Sequence, residues 1–265
     1  MPPPAPDSLG ASTPRSEPAA LTLVGVGPGD PQLLTVAAVQ AIAAAAVVAY
    51  PVAEVGSDEG MAARIAAPWL QPEQRRLPLL FPMVVEAEPR QQAWRAAATA
   101  LAAEVTAGQR VVLLCEGDAS LYASCSYVLL ALQQQHPSWP IRVVPGITAV
   151  AAAAAAASSA AMAWPLALQQ ESLLIRPTPD DPATLEALLE RCGREGTVLA
   201  LLKLGRRWPW VRQLLAQRDL LPQALFAQRL GWPDQRVAAA DQVRATERPY
   251  FSLLLIRQGW PAVLP

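Results

Sequence analysis

A chain of 265 residues can bury one large core or two of ~130 residues each, without metal or disulfide staples. Its 21 basic and 22 acidic residues leave a formal charge of -1, which offers no field for gathering nucleic acid or an anionic membrane. The three cysteines, Cys115, Cys125 and Cys192, show no C-x-x-C spacing, which excludes a disulfide framework and a zinc site and points to reduced thiols of a cytoplasmic protein.

Residues 1–20, rich in Pro, Ser and Ala, have neither a basic start nor an apolar core, so they predict a disordered tail and not a signal peptide. From Leu21, LTLVG reads as an apolar strand running into the glycine turn Gly25-Val26-Gly27-Pro28-Gly29-Asp30. A helix is expected from about Pro31 to Ala46, then a β-branched strand from Val47 to Pro51. Prolines and charges between Val52 and Arg90 predict loops and short helices. A helix over Gln91–Ala107, closed by Gly108, precedes a strand over Arg110–Cys115. The turn Glu116-Gly117-Asp118 follows, then a helix from about Leu121 to Gln135 and a strand at Ile141–Val144. Pro145-Gly146-Ile147-Thr148 leads into an alanine-rich helix that Thr148 is placed to cap.

Beyond Trp164, SLLIRP, TVLALLKLG, ALFAQRL and YFSLLLIRQ predict four more strands, with helices over Pro182–Cys192 and Pro209–Gln217. Strands alternating with helices imply a mainly parallel sheet in residues 21–145, and the sparser helices a mixed sheet in residues 146–265. The expected architecture is two α/β domains with ligands gathered at strand carboxyl ends. Two charge-free stretches, Leu33–Ala53 and Val143–Gln170, are long enough for membrane spans. Their alanine content and prolines favour buried segments of a soluble α/β protein.

The first glycine turn is the most informative. A dinucleotide site needs G-x-G-x-x-G opening a helix, whereas here the third glycine arrives one residue early and Pro28 stiffens the turn. Such a turn still lets backbone approach a ligand closely, because glycine lacks a Cβ. Glu116-Gly117-Asp118, Pro145-Gly146-Ile147-Thr148 and Lys203-Leu204-Gly205 likewise stand where apolar strands stop.

In this order the motifs resemble the tetrapyrrole methylases of cobalamin and siroheme synthesis, over nearly all of Leu21–Arg257. GVGPGDPQLLT carries the resemblance to the superfamily. EGDASLYASCSYV, VVPGITAVAAAAA, LLKLGRRW and YFSLLLI are similar to its C20-methyltransferases that act on precorrin-2 or cobalt-factor II. The resemblance implies a homodimer with S-adenosylmethionine, leaving as S-adenosylhomocysteine, held in a cleft between the domains. It implies Pro28, Glu116, Gly117, Asp118, Leu121, Thr148 and Ala149 around the cofactor, with Leu204, Ala227, Gln228, Phe251 and Ser252 near adenine. Family members carry proline and an aromatic residue after Gly-Asp, where this chain has Ala119 and Ser120, so a looser loop or a reshaped substrate wall is expected.

Methylation of a ring carbon also needs a proton acceptor, for which Glu116, Asp118 and Tyr122 are candidates. His136 reads as a solvated residue beyond a helix end. A substrate rich in carboxylates calls for guanidinium partners: Arg206 and Arg207, after a strand-end motif, rank first with Tyr122 as substrate contacts, ahead of Arg75, Arg76, Arg95 and Arg229. The competing readings are a methylase acting on another ring carbon, an RNA ribose or a modified histidine, and a non-catalytic α/β interaction protein. The charge balance disfavours RNA.

Overall fold

The computed structural model describes residues 21–54, 56, 60–160 and 162–261; the expected tail of residues 1–20 lies outside them. The first half contains β1 (Leu21–Gly25), α1 (Val36–Ala44), β2 (Val47–Val52), α2 (Met61–Ala66), β3 (Arg75–Leu80), α3 (Ala87–Thr106), β4 (Val111–Cys115), α4 (Cys125–Gln135) and β5 (Ile141–Val144). Its five strands form one parallel sheet in the order β3-β2-β4-β1-β5. Every residue of β1 and β4 is buried, as a parallel sheet covered on both faces requires. Leu23 and Leu113, adjacent in register, face α3 and α4, whereas Val24 and Leu114 face α1 and α2. With all strands parallel, their carboxyl ends share one edge of the sheet.

Local chemistry accounts for the departures from expectation. The helix expected over Pro31–Ala46 is interrupted: Asp30 caps a single turn by accepting from Gln32 N at 2.8 Å, Leu34 is extended, and Thr35 starts α1 by accepting from Ala38 N at 3.1 Å. The helix expected from Leu121 begins only at Cys125, because Tyr122 has φ 52°, which a right-handed helix cannot contain. Within the stretch expected to hold loops and short helices, the structure has strand β3, an edge strand containing Pro78, tolerated where no partner needs its N–H.

The second half contains α5 (Ala149–Ala156), β6 (Ser172–Pro177), α6 (Pro182–Glu195), β7 (Thr197–Leu202), α7 (Trp208–Gln217), β8 (Ala224–Gln228), β9 (Arg236–Ala239) and β10 (Ser252–Ile256). The sheet order is β6-β7-β10-β8-β9, with β6 and β7 parallel and the remaining pairs antiparallel. The four expected strands are joined by β9, a half-buried edge strand of four residues whose short, alanine-rich apolar run has little β propensity. Asp181 caps α6 by accepting from Thr184 N at 2.8 Å, and Gly196 closes it in the left-handed conformation. Leu185, Leu189 and Val211 bury α6 and α7 against one face of this sheet around Trp208 and Phe226.

Thr148 caps α5 as expected, accepting from Ala151 N at 3.1 Å. Although α5 follows the last strand of the first sheet, its Val150, Ala152 and Ala153 pack on the second, against Ala200, Leu225, Ala227 and Leu255. Alanines on both surfaces allow close approach. This packing supports the division after Pro145, which we propose as the domain boundary. Of the charge-free stretches, the first holds a nine-residue helix and a strand, and no described helix is long and apolar enough to cross a membrane.

Candidate functional site

A cavity of about 500 Å³ opens between the carboxyl edge of the first sheet and the second sheet, within the ~300–1,000 Å³ range of small-molecule sites. On the first side it is lined by Pro28 after β1, Val52 and Ala53 at the end of β2, residues 115–118 at the end of β4, and Thr148 and Ala149 after β5. Three of these turns meet as backbone against backbone. Gly27 and Gly117 exchange N–H···O bonds of 3.1 and 2.8 Å. A Cβ on Gly146 would stand 2.1 Å from Gly117 O, and one on Gly25 would stand 2.6 Å from Gly146 N. Only glycine fits at those two positions. Gly117 differs: its φ is +65° and the space where a side chain would project is open, so bare backbone faces the cavity.

The second half supplies Leu202, Lys203, Ala227, Arg229, Leu230, Tyr250, Phe251, Ser252 and Leu253. The two halves are joined at the first glycine turn. Trp232 donates through Nε1 to Pro28 O at 3.2 Å, and a Cβ on Gly29 would stand 2.2 Å from Leu230 O. A Cβ on Gly231 would likewise meet Asp30 N at 2.2 Å. Ser252 ties the second wall internally: its Oγ accepts from Gly205 N at 3.2 Å and donates to Pro249 O at 2.7 Å.

The charged groups divide by role. Burial would raise the Asp118 carboxyl, but hydrogen bonds from the Ser120 hydroxyl, Gly146 N and Ser120 N outweigh it and hold the group below the usual carboxylate range. Its Oδ2 accepts from Gly146 N at 2.8 Å and its Oδ1 from Ser120 N at 2.8 Å and from Ser120 Oγ. Ser126 Oγ also donates to Ala119 O at 2.7 Å. The Ala119-Ser120 departure therefore leaves this loop tied down, not loosened. Glu116 is the opposite case: burial pushes its carboxyl up to about 7, and its oxygens accept no hydrogen bond among the described residues. Burial and a hydrogen bond to Cys115 keep the Cys125 thiol neutral, the hydrogen bond being the larger effect.

Of the sequence-derived site residues, Pro28, Glu116, Gly117, Asp118, Leu121, Tyr122, Thr148, Ala149, Ala227, Phe251 and Ser252 all line the cavity. Leu204 and Gln228 do not. Leu204 is fully buried in the core around Trp208, and Gln228 follows Ala227 in β8 on the opposite face, outside the lining. Arg206 is exposed outside the lining, while Arg207 donates through Nε to Asp180 at 3.0 Å and through Nη1 to Lys203 O at 3.2 Å, bracing the loop rather than facing the cavity. Arg75 pairs with Glu104, Arg76 donates to Gln71 O, and Arg95 bonds Gln91 along α3, none of them in the lining. His136 caps α4 and stacks on Trp139 with centroids 3.8 Å apart. Cys115, Cys125 and Cys192 are buried and unbridged.

The cations that do reach the cavity are Arg64, Lys203 and Arg229. Arg64 and Arg229 lie over the Trp232 ring, each 5.3 Å from its centroid, and Lys203 lies 5.7 Å from the Tyr250 centroid. Arg229 is held by Asp234 at 2.7 Å, whereas Arg64 and Lys203 have no carboxylate partner among the described residues. Lys203 stood inside the flagged Lys203-Leu204-Gly205 motif and could have been found there. Arg64 could not, since only folding of α2 brings it to this edge.

A model of the family described as Tetrapyrrole (Corrin/Porphyrin) Methylases matches residues 20–242. The chain is 34% identical to a precorrin-2 C(20)-methyltransferase of Sinorhizobium sp over 89% of its own length and 94% of the relative's. It is 29% identical to a cobalt-precorrin-2 C(20)-methyltransferase of Salmonella typhimurium strain LT2, covering 91% and 97%. The X-ray structure of a cobalt precorrin-4 methyltransferase superposes with a TM-score of 0.62 at 22% identity, covering 89% and 94% of the two chains. That likeness supports the two-sheet fold. Together with the convergence of the glycine turns, the match over most of the sequence shows that the chain belongs to the tetrapyrrole methylase family.

Proposed function

We propose that the chain transfers a methyl group from S-adenosylmethionine to C20 of precorrin-2 or its cobalt-containing counterpart, in corrin synthesis. The single observation that carries this reading is the cavity itself: loops from both sheets, the same loops that hold the family motifs, surround one space of about 500 Å³. The cavity suits a sulfonium nucleoside. Bare backbone at Gly117 permits close approach, the ionised carboxylate of Asp118 complements positive charge, and Tyr250 and Phe251 offer aromatic surface. Pro28, Gly117, Leu121, Thr148, Ala149, Ala227, Phe251 and Ser252 are assigned to the cofactor on this basis.

When bound, S-adenosylmethionine supplies a methyl group made electrophilic by its sulfonium sulfur. The chain's own contribution is alignment. Rigid glycine junctions fix the floor of the site, and positioning of two reactants can contribute about 7–11 kcal/mol in favourable cases. Asp118 keeps the loops after β4 and β5 in register, and Tyr122 reaches the second sheet by donating its hydroxyl to Ile175 O at 2.9 Å. Arg64 and Lys203 replace Arg206 and Arg207 as the proposed partners of substrate carboxylates, because they reach the cavity with their charges uncommitted. A homodimer and a cytoplasmic location complete the proposal.

Anaerobic incubation with S-adenosylmethionine and either precorrin-2 or cobalt-factor II is expected to add one methyl group by mass spectrometry, at C20 by NMR. Arg64→Gln should raise KM for the tetrapyrrole while leaving S-adenosylhomocysteine affinity unchanged. No methyl on either substrate contradicts the reading; an unchanged KM removes Arg64 from the substrate wall.

A further inference from the structure

Three side chains near the mouth of the β4 loop could take up a proton, and their surroundings separate them. Asp118 spends both oxygens on Gly146 and Ser120. Tyr122 donates its hydroxyl to Ile175 O. Glu116 lines the cavity at the end of β4, the central strand of the parallel sheet, and its carboxylate has no hydrogen-bond or ion-pair partner among the described residues.

Resting on the functional reading above, we propose that Glu116 is the catalytic base that removes the proton from the newly methylated ring carbon. The ring carbon forms its bond to the methyl group as the sulfur–methyl bond breaks, the pair of that bond remaining on sulfur. The carbon then carries both methyl and hydrogen. Its C–H electron pair returns to the conjugated ring as the proton passes to the Glu116 carboxylate, which becomes a neutral carboxylic acid and later releases the proton to water.

The surroundings suit this task. Beside Glu116, the Cys125 thiol is held neutral and Asp118 stays ionised. Cys115 and Tyr122 complete the near wall, and Arg64, Lys203, Arg229 and Tyr250 face the cavity from α2 and the second half. A base is most effective when it titrates near the working pH, and burial places this carboxyl at about 7. The sign for stability follows. The folded carboxyl keeps its proton up to about 7 against an ordinary 4.5, so its contribution is present below 4.5 and is lost as pH rises to about 7. Glu116→Gln, which cannot ionise, should therefore match the wild type near pH ~4 and exceed its Tm near pH ~8.

Single-turnover formation of the deprotonated, methylated product, followed across pH by the recovered ring conjugation, tests the proposal. The wild-type rate should fall on the acid side with a midpoint near 7. Glu116→Gln should reduce formation of the deprotonated product on the order of 10²–10⁴-fold and lose that acid limb, with S-adenosylhomocysteine affinity unchanged, and Glu116→Asp should recover part of the rate. A wild-type rate in Glu116→Gln, an acid limb that persists in it, or a loss confined to cofactor affinity overturns the assignment. Wild-type protein that methylates neither substrate overturns the functional reading and the base role with it, whereas the Tm comparison tests the buried carboxyl independently.

Discussion

Gly146→Ala is expected to destabilise the protein by about 3 kcal/mol or more and to cut methyl transfer on the order of 100-fold. The added Cβ would lie 2.1 Å from Gly117 O and 2.8 Å from the Gly25 carbonyl carbon. Both are backbone atoms, one at the end of β1 and the other hydrogen-bonded to Gly27 N, so no side chain can swing aside, and the β4 and β5 loops must separate. Asp118 would lose its hold on Gly146 N as they do. Gly108→Ala is the control. Gly108, unlike Gly146, has a left-handed φ of +78°, yet a Cβ there meets nothing within 4 Å, so it should show only the conformational cost of about 1–2 kcal/mol and normal transfer. Equal behaviour of the two variants by thermal melting and assay would mean that the glycine junction does not shape the site.

Arg257→Met is expected to cost about 3–5 kcal/mol while leaving cofactor binding intact well below the melting temperature. Arg257 is 3% exposed. It grips Glu171 with two bonds of 2.8 Å, from Nε and Nη2, and donates from Nη2 to Pro165 O at 2.9 Å, with the Trp260 ring 4.2 Å away. These contacts fasten the segment entering β6 to the end of β10, far from the cavity lining. Removing the guanidinium strands Glu171, which is itself nearly buried. The Arg257 hydrogen bond is the main reason the Glu171 carboxyl lies below its ordinary 4.5. The stabilising contribution is therefore present above 4.5 and lost as pH falls through the folded value, and the gap between wild type and variant should narrow in acid. Denaturant melts across pH check both the size and that trend.

Much of this was legible in the residues. Strands β1, β4 and β5 announce themselves as runs rich in apolar residues that lead into glycine turns, and the resemblance of those glycine turns to family motifs pointed to one crevice. Thr148 and Asp181 cap helices because their hydroxyl and carboxylate stand just before helical sequence. Edge strands β3, which opens on two arginines and contains Pro78, and β9, four residues long and alanine-rich, carry no such pattern. The split before α1 depended on Thr35 capping a second helix, and the late start of α4 on a positive φ at Tyr122. Side-chain direction was the weakest inference. Leu204 and Gln228 sit within the right loops but point into the core or behind the wall, and Arg207 turns to Asp180. Which arginine meets a ligand depends on long-range packing, as Arg64 on α2 illustrates.

The central claim is that loops of both sheets form one site for a sulfonium nucleoside. Hydrogen–deuterium exchange with and without saturating S-adenosylhomocysteine addresses it most directly. Residues 25–30, 116–121 and 146–149 of the first half should gain protection together with residues 227–232 and 250–253 of the second. Protection confined to one sheet's loops, or absent from both, would contradict the account.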